Sequence, residues 1–99
     1  MKITYLFLAL VAGNSVQLKA DEIDREEIIY LVDQGKILPL EAILSNYPEN
    51  EYGKIIDIEV EKKHGRIRYE IEFLHEDGRV IELKIDATNG QILKRELKD

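Results

Sequence analysis

One stretch of this 99-residue chain gathers the side chains that acid–base or metal chemistry uses. In HEDGRVIELKIDATNG, residues 75–90, His75 stands beside Glu76 and Asp77, Glu82 and Asp86 follow, and Asn89-Gly90 closes the run. A metal site would take His75, or His64, with nearby carboxylates. The two histidines fall at opposite ends of one predicted strand, so they cannot share an ion. Calcium needs a loop of about 12 residues, and Glu76-Asp77-Gly78 is far shorter. Glycoside cleavage needs two carboxylates in a cleft with displaced pKa values, and a chain this small leaves little room for a cleft. Glu70 and Glu72 are the acids on which a hydrolytic reading would rest. Among nucleophiles, Ser45 has no histidine at helical spacing and Thr88 lies in a predicted turn. There is no Gly-rich phosphate loop. The expectation is a protein with no catalytic residue, no cofactor and no metal ligand.

The elements that hold these side chains explain most of them. Asp24-Arg25-Glu26-Glu27 reads as a helix start, with Asp24 as the cap and early acids at the positive end of the dipole. Ile28, Leu31 and Val32 follow at helical spacing, and Gly35 is the stop. A second helix is predicted from Pro39, with Leu40, Ile43, Leu44 and Tyr47 on one face and Pro48 as its end. From Lys54 the period becomes two. Ile56, Ile58 and Val60 alternate with acids, as do Ile67, Tyr69, Ile71 and Phe73 with Arg68, Glu70 and Glu72, and Ile81, Leu83 and Ile85 with Glu82, Lys84 and Asp86. Gln91 to Leu97 is a candidate fourth strand. The predicted fold class is α+β: an N-terminal helical hairpin packed on one face of a three- to four-stranded antiparallel meander sheet.

Parity sets the register. Residues paired directly in an antiparallel hairpin point to the same face. A two-residue turn at His64-Gly65 pairs Val60 with Tyr69 and Ile58 with Ile71. The next two strands share odd core positions, so a three-residue loop, Glu76-Asp77-Gly78, is required. It pairs Phe73 with Ile81, Ile71 with Leu83 and Tyr69 with Ile85, and Gly78 takes the left-handed position. Glu70 then faces Lys84, Arg68 faces Asp86 and Glu61 faces Arg68, as ion pairs on a solvated face. In the last hairpin Ile92 and Leu93 compete for the inner face. The core pattern leaves Leu38, Leu74, Val80 and Leu97 unplaced.

Residues 1–20 read differently. Lys2 precedes an apolar run, Ile3 to Gly13, and a polar stretch ends at Ala20. That is the layout of a signal peptide, and the run is too short for a span of roughly 20 apolar residues. Cleavage after Ala20 is preferred, with Ala12 or Gly13 as alternatives, leaving a single domain, residues 21–99, in the periplasm or secreted. That portion carries 12 basic and 20 acidic residues, a net charge of −8. Nucleic acid and anionic membrane surfaces are poor partners for it. It has no cysteine, so no disulfide or thiolate zinc site.

The order GKILPLEAIL, then IIDIEVEKKHGRIRYEIEFLHEDGRVIELKIDATNGQIL, resembles the PepSY domain family. Tyr69-Glu70-Ile71 and Asp86-Ala87-Thr88-Asn89-Gly90 are the sharpest matches, and the likeness spans roughly Ile28 to Leu97. The resemblance implies an extracytoplasmic, non-catalytic module that restrains peptidases or regulates activity near the cell envelope. It supplies no catalytic residues. With no protease following Asp99, action in trans is expected. The expected partner is a protein, a peptidase or an envelope sensor, and a homodimer through a sheet edge is compatible with it. The alternative is an acidic small-ligand or cation-binding periplasmic protein.

Overall fold

The computed structural model describes residues 21–98, so the expected leader lies outside the described residues. In chain order the elements are β1 (Asp21–Glu22), α1 (Arg25–Asp33), α2 (Leu40–Leu44), α3 (Glu49–Tyr52), β2 (Lys54–Lys63), β3 (Arg66–Leu74), β4 (Val80–Asp86) and β5 (Ile92–Lys98). Strands β2 to β5 form an antiparallel meander, and the two-residue β1 adds to the outer edge of β2 opposite Glu61 and Lys62. The α+β class and the four-stranded meander are as expected. Strand β1 is an addition that two polar residues could not announce.

The hairpin registers follow the parity argument residue by residue. Val60 pairs with Tyr69 and Ile58 with Ile71. Tyr69 pairs with Ile85, Ile71 with Leu83 and Phe73 with Ile81. His64 and Gly65 both take positive φ, 52° and 76°, which is the twist a two-residue hairpin turn needs. Gly78, φ 91°, closes the three-residue loop, with its N–H bonded to the His75 carbonyl. The last hairpin resolves the competition between Ile92 and Leu93. Ile92 pairs with Ile85, the register then shifts, and Leu93 is the extra residue of a bulge. Both side chains remain about half exposed.

Two expectations about the core are corrected. Alternation places Ile56 on the inner face, but a second bulge falls between Ile55 and Asp57, so Ile55 is the residue paired with Phe73, and both isoleucines are exposed. The second helix ends at Leu44, and Pro48 begins a third helix instead of simply ending the second. A proline cannot continue a helix but suits its start. The face Leu40, Ile43, Leu44, Tyr47 still turns inward, with Ile43 and Tyr47 buried. Asp24 does sit at the N-cap of α1, but its side chain makes no capping hydrogen bond. Gly35, φ 71°, ends α1 as expected.

The core is a single cluster. Tyr69, Ile71, Phe73, Ile81, Leu83 and Ile85 line the inner sheet face, and Ile37, Ile43 and Tyr47 close over them. Leu38, unplaced by periodicity, packs against this cluster, whereas Leu74 and Leu97 are exposed. Tyr47 meets Tyr52 edge-on at 5.1 Å, and Phe73 lies 6.2 Å and 5.7 Å from their rings. Edge and tilted packing of this kind places positive ring edges against negative faces.

Candidate functional site in the motif turn and the charged face

The Asp86–Gly90 turn and Tyr69 meet at one backbone segment, the linker before α2. The Leu38 N–H donates to the Ala87 carbonyl at 2.8 Å, and the Leu38 carbonyl accepts from the Tyr69 hydroxyl at 2.7 Å. Burial raises the Tyr69 phenol above its ordinary range, as does the charge of Glu41, so it remains a donor. Ala87 is fully buried, and its small side chain leaves room for the linker. Gly90 takes φ 80°, and a Cβ there would lie 3.5 Å from Leu38 and 3.6 Å from Ile43. Each residue of the motif thus has a structural task.

Asp86 anchors the turn. One carboxylate oxygen accepts the Thr88 N–H at 2.9 Å and the other the Arg66 guanidinium at 2.8 Å. Its opposite residue in the register is Arg68, as parity requires, but the ion pair it makes is with Arg66. Its burial, 2 % exposed, was not expected from a turn residue. Burial alone would raise its pKa, yet the Thr88 N–H and Arg66 outweigh it and hold the group below the usual range. Asn89 supports the same turn by accepting the Gln91 N–H. Tyr69→Phe should leave the Leu38 carbonyl without its donor and cost about 1–3 kcal/mol. Urea denaturation of the two proteins measures it.

The polar face of the sheet is more enclosed than a solvated face. Arg68 reaches Glu61 at 2.6 Å and Glu70 at 3.4 Å, and Lys84 reaches Glu70 at 3.7 Å. The side chains of Arg68, Glu61 and Glu70 are 17 %, 13 % and 14 % exposed. Glu82 is buried, and Lys98 reaches both it and Glu72. Carboxylate oxygens of Glu59, Glu61 and Glu70 lie within 4.8 Å of one another. Arg68 pairs with Glu61 and Glu70, and Lys84 with Glu70, so positive charge already stands against this trio.

Two of these carboxyls shift in opposite directions. Burial pushes Glu70 up to about 7, and its hydrogen bond with Glu61 and the repulsion of Glu61 and Glu82 act in the same sense, while Lys84 opposes. Burial also disfavours charge on Glu61, but the hydrogen bonds from Glu70 and Arg68 outweigh it and lower its pKa. Of the two, Glu70 is the one that takes up a proton first as pH falls. A carboxyl whose folded pKa is raised from 4.5 stabilises the fold below pH 4.5, and that contribution is lost as pH rises through about 7. Glu70→Gln keeps an uncharged donor. Its melting temperature should exceed that of the parent at pH 8 and match it near pH 5. An equal gap at both pH values would assign the effect to something other than ionisation.

The histidines occupy the positions expected of them. His64 is in the β2–β3 turn and His75 follows β3. Nδ1 of His75 lies 3.1 Å from Asp77, which also accepts the Arg79 N–H and pairs with its guanidinium. The Arg79 N–H, above all, lowers the Asp77 pKa. These are contacts within a hairpin loop. Beside it an open groove of about 760 Å³ runs between α3 and the loop, lined by Gly53, Lys54, Leu74 and His75 among others. Periodicity could not disclose this groove, because Gly53 and Leu74 meet across 21 positions of chain. Ser45 bonds the Ala42 carbonyl on its own helix, a local contact with no histidine.

Among the described residues no helix is long and apolar enough to cross a membrane. Comparison with curated proteins and with solved structures yields no match. The family model described as "Peptidase propeptide and YPEB domain" matches residues 40–96. That interval runs from the first residue of α2 almost to the end of β5 and includes both the Tyr69 donor and the Asp86–Gly90 turn. More than half of the chain is covered, and the clamp on Leu38 gives the matched motif a physical purpose: this chain belongs to the PepSY family.

Proposed function

We infer that the protein is a non-catalytic extracytoplasmic module that binds and regulates another protein, with a peptidase or an envelope sensor as the partner. The family match over residues 40–96 carries this reading, since its description is that of a peptidase propeptide domain. The engagement of Glu61 and Glu70 with Arg68, and of Asp86 with Arg66 and the Thr88 N–H, supports it, because groups committed to holding the fold are poorly placed for turnover. Residues 1–20 act as a signal peptide and residues 21–99 as the exported domain, periplasmic or secreted. A homodimer through a sheet edge is compatible with this role. The test is a cross-linking pull-down from an envelope extract, followed by assay of any recovered peptidase with and without the purified protein. Inhibition that grows with added protein supports the reading. Recovery of the bait alone counts against it.

The Glu59, Glu61, Glu70 trio favours one second reading, an acidic cation-binding protein. A divalent cation there has to compete with Arg68 and Lys84. Binding to the folded state raises the melting temperature. No shift at millimolar calcium or magnesium rejects this reading.

A further inference from the structure

Strand β5 is an outer strand of the sheet, and its sequence is self-complementary. Its inner-side residues Leu93 and Leu97 are 52 % and 55 % exposed. Its other face carries Lys94, Glu96 and Lys98. Lysines commonly guard an edge against further pairing. Here the acid between them changes the pattern. Within one copy like charges are placed opposite each other, Lys84 against Lys94 and Glu82 against Glu96, and such pairs are unfavourable. Lys94 and Glu96 contact each other along the strand at 3.6 Å.

We propose that β5 pairs antiparallel with β5 of a second copy about a two-fold axis at Arg95. In this register Lys94 faces Glu96 of the second copy, Glu96 faces its Lys94, and Leu93 and Leu97 meet across the junction. Each face then gains what it lacks. On the polar face the acidic row Asp57, Glu72, Glu82, Glu96 continues into Lys94 and Lys84 of the second copy. On the inner face two exposed leucines of each copy are covered. Moving the axis by one residue destroys the match. An axis at Glu96 sets acid on acid and Lys94 on Lys98, and an axis at Lys94 sets lysine on lysine. On the opposite edge β1 already covers Glu61 and Lys62 of β2, and in the stretch left open an axis at Ile58 sets Asp57 against Glu59 and an axis at Asp57 sets acid on acid. A two-fold contact uses the same patch on both copies and closes, giving a dimer and not a filament. Arg95 meeting its own copy on the axis is the one unfavourable pair. This dimer stands independently of the regulatory reading.

The test uses protein purified after expression of its full coding sequence. Sedimentation equilibrium should show a concentration-dependent dimer. Lys94→Glu sets two acid pairs across the axis and should weaken association about tenfold or more. The exchange Lys94→Glu with Glu96→Lys should restore it. These side chains are exposed, so far-UV circular dichroism should show the variants folded as the parent is. The chain has no cysteine, which allows a direct test of register. Arg95→Cys should oxidise to a disulfide dimer, since paired Cα atoms lie about 5 Å apart, and Glu96→Cys should not. A monomer at every concentration overturns the proposal and leaves β5 open to a strand of another protein. A dimer that is indifferent to the charge exchange, or equal cross-linking of both cysteine variants, overturns the register.

Discussion

Gly53→Ala is expected to cost roughly 2–6 kcal/mol, combining the expense of overpacking with that of a forbidden backbone region. Gly53 joins α3 to β2 with φ 106° and ψ −173°, a region essentially reserved for glycine. A Cβ there would stand 2.3 Å from the Leu74 carbonyl oxygen, 2.7 Å from its carbon and 2.8 Å from the His75 Cα. All three are backbone atoms, so no side chain can swing away. Relief requires α3 to separate from the end of β3. A domain of about 80 residues has roughly 4–12 kcal/mol of stability. The variant should therefore be marginal or unfolded at 37 °C. Thermal unfolding followed by far-UV circular dichroism measures this, and a loss under 1 kcal/mol would contradict the close approach. Gly65→Ala is the control, since nothing lies near its missing Cβ. It should lose only the cost of a positive φ.

Phe73→Ala is expected to cost roughly 3–5 kcal/mol, the usual range for a fully buried phenylalanine. Phe73 is completely enclosed and stands under Tyr47 and Tyr52. Its removal takes away packing that joins the α2–α3 segment to the sheet. Phe73→Leu should cost much less, because most of the volume is retained. Chemical denaturation of both variants gives the comparison. A similar loss in the two would mean that ring packing, and not volume, dominates. In Phe73→Ala the Leu38 clamp is untouched, so the damage should begin at the Tyr47–Tyr52 end of the helical layer. Hydrogen exchange at the α3 amides should then rise more than at those of Ala87 and Leu38.

Glu70 shows why the polar face misleads when read from sequence. Its place opposite Lys84 follows from parity, and the pair forms. The same register puts Glu59 on its other side, with Glu61 next along that strand. Alternation assigns all of them to solvent. In the folded protein long side chains from three adjacent strands shield one another, and in that enclosed layer burial pushes Glu70 up to about 7 while Glu61 is lowered. The same reasoning applies to Asp86. Its turn was legible from Asp-Ala-x-x-Gly, but its burial depends on Arg66 and on the linker at Leu38.

By itself the sequence determined the α+β class, the meander order, both early hairpin turns and the register of three strands. It could do so because side chains alternate with a period of two. A one-residue slip would have turned Ile71, Leu83 and their neighbours into water, so burial of one face leaves a single register. Turn dipeptides with glycine then set the loop lengths. The tertiary structure alone decided where that period breaks and what meets across the chain. The bulges at Ile56 and Leu93 each insert one residue, which local pattern cannot distinguish from continued alternation. The close approach of Gly53 to Leu74, the two-sided clamp on Leu38 and the raised pKa of Glu70 arise between residues distant in sequence. Their energies depend on distances and dielectric surroundings that exist only after the sheet and its helical layer have closed on each other.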